Sequence, residues 1–198
     1  STEVSFHYST YKYLLSISMS ILFKNILFLK LSKIFLTFLI IIVFTISENL
    51  KAENITGSQT YDTDTNNTQY IFTEDDASAV VTGNTTLERS RKLFILDDAG
   101  RTGNTLTIHF GSTVSTTTNS NTIFTDGADL TIVNSGTINS DSSKAINVSK
   151  SDGVSITNNS TGVIKSNNNT ILGDAGTGAV NTTINNSGEI YSSATGTE

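Results

Sequence analysis

Gly136, Gly162 and Gly188 fall 26 residues apart, and two residues beyond each lies an isoleucine, at Ile138, Ile164 and Ile190. The surrounding text repeats with them: IVNSGTIN at 132–139, ITNNSTGVIKS at 156–166 and INNSGEIYS at 184–192. A fixed period of this size is the signature of a repeat architecture, in which each unit is too small to fold alone. Gly111 and Val114 keep the phase more loosely, 25 and 24 residues ahead, and Val80–Val81 with Leu87 read as a degenerate first copy. Inside one period the apolar residues alternate in twos and threes, a strand rhythm with no helical stretch. LTIV (130–133) is one such segment, TIN after the glycine a second, and KAINVS (144–149) a third, with NTIFT (121–125) and NTILG (169–173) as equivalents of the third. Each period therefore reads as about three short strands divided by Asn, Ser, Asp and Gly turns.

Strands that offer one or two apolar side chains apiece cannot enclose a core. Stacking solves the problem: Ile132 can lie on Ile156 and then on Ile184, each backbone pairing with the coil above and below. A fully buried Ile or Val contributes about 1.5–3 kcal/mol, so the few in one coil barely offset its ordering entropy until several coils are stacked. The predicted fold is all-β, a parallel β-helix with coils of about 24–28 residues. Its repeat corners are Asn134, Gly136 and Ile138, then Asn159, Gly162 and Ile164, then Asn186, Gly188 and Ile190. The three asparagines are expected to form an amide ladder, each giving and accepting one hydrogen bond; a sugar-binding role is the alternative for the same residues.

Composition divides the chain near Ala52. All 14 glycines lie after it, together with Ser, Thr and Asn at roughly 44% of residues 53–198, far above ordinary usage. Residues 1–52 carry a net charge of +3 and residues 53–198 a net charge of −9. Nothing basic on that scale is available to displace counterions from phosphates, so nucleic acid is excluded as a partner. The absence of cysteine removes disulfides and thiolate metal sites. The absence of proline removes the commonest interruption of a strand ladder.

In the first part, Lys24, Lys30 and Lys33 precede an uncharged run from Ile34 to Ser47, with Ala52 after a polar stretch. That order matches a secretory signal peptide, and the core of about 13 residues falls short of the about 20 that a membrane-spanning helix needs. Met19, the only methionine, stands where a start codon gives a sensible n-region. The expected organisation is an N-terminal extension and hydrophobic signal helix over 1–52, a cap or linker over 53–79, and coils over 80–198. The cap is expected to include Tyr70, Ile71 and Phe72, covering strand groups that would otherwise be an unpaired edge.

A signal segment followed by acidic, cysteine-free coils with NSGTI, NSTGVI and NSGEI corners resembles the passenger of a bacterial autotransporter. The resemblance covers residues 20–198 and is most specific over 106–198. It implies a right-handed parallel β-helix carried to the cell surface or outer membrane by a C-terminal β-barrel of the same polypeptide. It also implies export through the secretion machinery and a role as a stalk or adhesin, with a host-surface or glycan ligand. The barrel is not among these residues.

Asp98, Asp126, Asp152 and Asp174 each precede a glycine by one or two residues and could form a calcium ladder, since hard cations take carboxylate and carbonyl oxygens. Asp–Gly turns explain the same pairs, because Asp bonds its own backbone and Gly accepts positive φ. No metal or other cofactor is therefore assigned. His109, in TLTIHFG, should face solvent by alternation from Leu106 and Ile108. Arg89, Arg91 and Arg101 lie near Glu88, Asp97 and Asp98 in sequence, and polysaccharide-active β-helix enzymes use such groups; a solvated loop insertion explains them at less cost. No catalytic residue is assigned. The alternatives to a non-enzymatic stalk are thus a secreted polysaccharide-active enzyme on the same fold and a self-associating surface fibre.

Overall fold

The structure, a computed structural model, describes residues 18–25, 28–37, 51–96, 100–173 and 181–193. The chain divides into two compact units, Ser1–Glu48 and Asn49–Glu198. In the first unit residues 18–25 and 28–37 are helical, with exposed side chains that include Phe23, Phe28 and Phe35. Among the described residues no helix is long and apolar enough to cross a membrane. Residues 38–47 of the expected apolar run lie outside the described residues, and Ala52 opens the first strand of the second unit.

The second unit is a stack of three-stranded rungs. The first rung is β1 (Ala52–Ile55), β2 (Ser58–Tyr61) and β3 (Thr65–Asn66), and the second is β4 (Gln69–Phe72), β5 (Ser78–Val81) and β6 (Thr86–Arg89). The third comprises β7 (Phe94–Leu96), β8 (Thr105–Ile108) and β9 (Thr113–Thr116), and the fourth β10 (Ile123–Thr125), β11 (Thr131–Asn134) and β12 (Thr137–Ser140). The fifth comprises β13 (Ile146–Asn147), β14 (Ser155–Asn158) and β15 (Val163–Ser166), and the sixth β16 (Ile171–Leu172), β17 (Thr183–Asn186) and β18 (Glu189–Ser192). Each strand pairs in parallel with its counterpart on the next rung, which gives three six-stranded sheets. Sheet A holds β1 and every third strand after it; sheets B and C begin at β2 and β3. The all-β parallel β-helix expected from the repeat is the fold observed.

Alternation aims every second side chain inward, and the register stacks those side chains in columns. In sheet B the column is Ala79, Leu106, Ile132, Ile156 and Ile184. In sheet C it is Leu87, Val114, Ile138, Ile164 and Ile190. In sheet A the column starts at Glu53 in the first rung, passes through the aromatics Tyr70 and Phe94, and continues with Ile123, Ile146 and Ile171. From the second rung to the fifth all are fully buried; in the sixth, Ile184 is 46% exposed, with no described strand beyond it.

Two expectations need correction. Residues 53–79 are not a cap beside the stack: they form most of its first two rungs, with Ile55, Tyr70 and Phe72 fully buried. Their weak alternation is compensated by aromatic packing, since Tyr70 stands edge-on to Tyr61 at a centroid distance of 4.6 Å and stacks on Phe94 at 5.0 Å. Coil length is also less uniform than 24–28 residues. Ala52 pairs with Gln69 and Phe94 with Ile123, so one turn takes 17 residues at the start and 29 in the middle. Pairing constrains the strands alone, and the corners absorb the difference.

Candidate functional site

The repeat corner is the most elaborated feature of the stack. Asn134, Asn158 and Asn186 end β11, β14 and β17 and align in register. Asn134 Nδ2 donates to Asn158 Oδ1 at 2.8 Å, and Asn158 Nδ2 donates to Asn186 Oδ1 at 2.8 Å. The same amide nitrogens also reach the Gly136 and Gly162 carbonyls, at 3.2 and 3.1 Å. Asn134 and Asn158 are fully buried, and so desolvated amides find partners within the ladder. Asn134 and Asn186 additionally accept from the amides of Gly136 and Gly188, closing the corner as an Asx turn.

The ladder differs from expectation at one member. Asn159 lies outside it and donates instead to Ser135 Oγ at 2.8 Å. The cause is a change in corner length: Ile132 pairs with Ile156 but Ile138 pairs with Ile164, so this corner holds two more residues than the one before. Counting back from Gly162 misses by that slack, whereas counting forward along the strand lands on Asn158.

Gly136, Gly162 and Gly188 are needed for proximity, since none has a positive φ. A Cβ on Gly162 would lie inside contact distance of the Asn158 amide and 2.6 Å from the Asn134 carbonyl oxygen. Left-handed backbone appears elsewhere, in a column just before sheet B: Asp76 (φ 54°), Gly103 (73°), Asp129 (56°), Gly153 (68°) and Asn181 (62°). Asp and Gly alternate there because the side chain of one rung fills the space that the next rung's Cβ would take. The Asp76 carboxylate occupies that space at Gly103 and the Asp129 carboxylate at Gly153.

This column replaces the calcium-ladder geometry. Asp152 aligns with Ala128, and Asp126 stands two residues away, 4.0 Å from the Lys150 ammonium. Gly153 has the positive φ expected of turn chemistry and Gly127 does not. No group of three His, Cys, Asp or Glu suited to a metal occurs among the described residues; Asp98 and Asp174 lie outside them.

The arginines are dispersed. Arg89 points into the stack, 5% exposed, and donates to the Lys92 carbonyl at 2.8 Å. Burial, aided by the charge of Arg91, pulls its pKa down. Arg91 is exposed where the chain enters sheet A, whereas Arg101 is exposed beyond the opposite edge, between β7 and β8. Glu88 faces outward on sheet C within 3.5 Å of Ser115 Oγ, and Asp97 and Asp98 are outside the described residues. His109 is exposed as alternation predicts, its Nδ1 3.0 Å from Thr82 Oγ1.

Sequence reasoning passed over the outer face of sheet A. Ile71, Ile95 and Phe124 align there in successive rungs, partly exposed, with the Lys92 ammonium 3.7 Å from the Phe124 ring centroid. The signal was in the text: YIF, FIL and IFT each place an apolar residue at the middle of a strand whose neighbours point inward.

Comparison with protein-family models, with curated proteins and with solved structures gives no match to this chain.

Proposed function

We propose that the chain is the exported, rod-forming part of a cell-surface protein of autotransporter type, working as a stalk or adhesin. The observation that carries this reading is the unbroken stack of three parallel sheets around a closed core. Such a stack is a stiff spacer whose exposed columns can hold a binding surface away from its anchor. On this reading a C-terminal outer-membrane barrel is the anchor, the secretion machinery recognises the lysine-flanked apolar segment, and a host surface or glycan is the ligand. Catalysis is not proposed, because among the described residues Arg89 is turned into the stack, Glu88 faces outward from sheet C, and Arg91 and Arg101 lie at opposite edges of sheet A.

Export is tested by expressing the chain in a Gram-negative bacterium, fractionating the cells and sequencing the N-terminus of the product. The expected product is periplasmic or surface-exposed and begins close to Ala52–Glu53. A cytoplasmic product that keeps residues 19–52 would overturn the export reading.

A further inference from the structure

Charge is segregated about sheet A. Among the described residues the chain enters this sheet past Lys51, Arg91, Lys92 and Lys144, accompanied by one acid, Asp141. It leaves, again among the described residues, past Glu74, Asp75, Asp76, Asp126, Asp129 and Asp152, accompanied by Arg101 and Lys150. Register sharpens the contrast, since Phe94, Ile123 and Ile146 align and so place Lys92 and Lys144 in one column two residues earlier. Between the two edges runs an uncharged outward column of Asn54, Ile71, Ile95, Phe124, Asn147 and Leu172. An apolar centre with charged rims is the ordinary anatomy of a protein interface. No such division marks sheet B, whose outer face is Ser, Thr and Val with a single Asn.

We propose that the outer face of sheet A pairs with the same face of a second copy of this chain, the two rods lying side by side and parallel. A two-fold axis along the rod direction lays each residue of the central column on itself and brings the basic edge of one copy against the acidic edge of the other. Antiparallel rods would set basic edge on basic edge, so the charge pattern selects the parallel arrangement.

The area is modest. Six strands spaced about 4.7–4.9 Å apart, of two to four residues each and so about 7–13 Å long, make a footprint of roughly 300 Å² per copy. A standard interface buries about 800 Å² per partner. The pair is therefore weak and concentration-dependent, as suits rods held at high density. It depends on the fold alone and stands whether or not the chain is exported.

The absence of cysteine permits a clean test. Ile95→Cys and Thr107→Cys each introduce one outward thiol on the third rung, the first on sheet A and the second on sheet B. The full 198-residue chains are oxidised at graded protein and salt concentrations, with far-UV circular dichroism to verify that each is folded. Ile95→Cys is expected to form disulfide-linked dimers roughly tenfold faster than Thr107→Cys, and high salt should erase most of that advantage. Adding Lys92→Glu and Lys144→Glu should slow the reaction, since both edges are then net negative, and adding Asp75→Lys and Asp126→Lys to that chain should restore part of it, since the second edge is then neutral and no longer repels the first. Should Ile95→Cys fail to fold, Ile71→Cys takes its place, because it too lies opposite itself. Equal rates on the two sheets, or an Ile95→Cys rate that ignores both salt and charge reversal, would overturn the proposal.

Discussion

At the scale of the residue, the stack is held in phase by groups that have almost no freedom of position. Asn158 donates to the Gly162 carbonyl, the Asn186 side chain and the Glu189 carbonyl, while accepting from Asn134. Its neighbour Asn159 makes one side-chain bond and is partly exposed. Asn158→Ala is accordingly expected to cost about 1–3 kcal/mol, since it strands buried partners. Asn159→Ala should remain within about 1 kcal/mol, as an exposed substitution does. Gly162→Ala belongs with the costly class, because its methyl group would meet the Asn134 carbonyl. Urea midpoints of the three variants decide the matter: equal midpoints for Asn158→Ala and Asn159→Ala would mean that the ladder does not hold the corner.

At the scale of the element, sheet A changes character along the rod. Its second and third rungs carry inward aromatics, Tyr70 and Phe94, and its later ones aliphatics, and the aromatic cluster that Tyr70 forms with Tyr61 of sheet B carries a liability at high pH. Burial raises the pKa of Tyr61, with the Glu53 carboxylate adding to it. Burial likewise raises that of Tyr70, although the hydrogen bond with Thr65 works in the other direction. A raised folded pKa means that the folded state keeps protons which the unfolded chain releases near its ordinary value of about 10. The contribution is complete below about pH 10 and is lost as pH climbs above it. The first two rungs should therefore loosen in alkali before the later ones, and Tyr61→Phe should flatten that response. Near-UV circular dichroism followed from pH 8 to pH 12 reports it, and a pH-independent aromatic signal would contradict the expectation.

At the scale of the whole molecule, each rung touches its neighbours alone, so stability is the sum of rung terms and interface terms and need not be lost all at once. Among the described residues the sixth rung is paired on one side: every residue of β17 is exposed, whereas the inward residues of β11 and β14 are fully buried. Native-state hydrogen exchange should show amide protection highest in the third to fifth rungs and lowest in β17 and β18. Uniform protection along the stack would argue for a single cooperative unit. The same one-dimensional logic connects function to structure, because a rod offers the same faces at every rung and weak lateral contacts add along its length.

The sequence by itself determined the period, the strand rhythm and the inward columns. Ile132, Ile156 and Ile184 could be aligned from text alone, as could Ile138, Ile164 and Ile190, because alternation and repetition are local properties of the chain. Tertiary structure decided what depends on the third dimension. It placed Asn158 and not Asn159 in the ladder, since register is set by strand pairing while corners vary in length. It made rungs of residues 53–79, whose core becomes visible only when Tyr70 is seen between Tyr61 and Phe94. It also gathered Lys51, Lys92 and Lys144 on one edge of sheet A and Glu74, Asp126 and Asp152 on the other. Those charges are scattered along the chain, and coiling alone brings together residues that one turn of the solenoid separates.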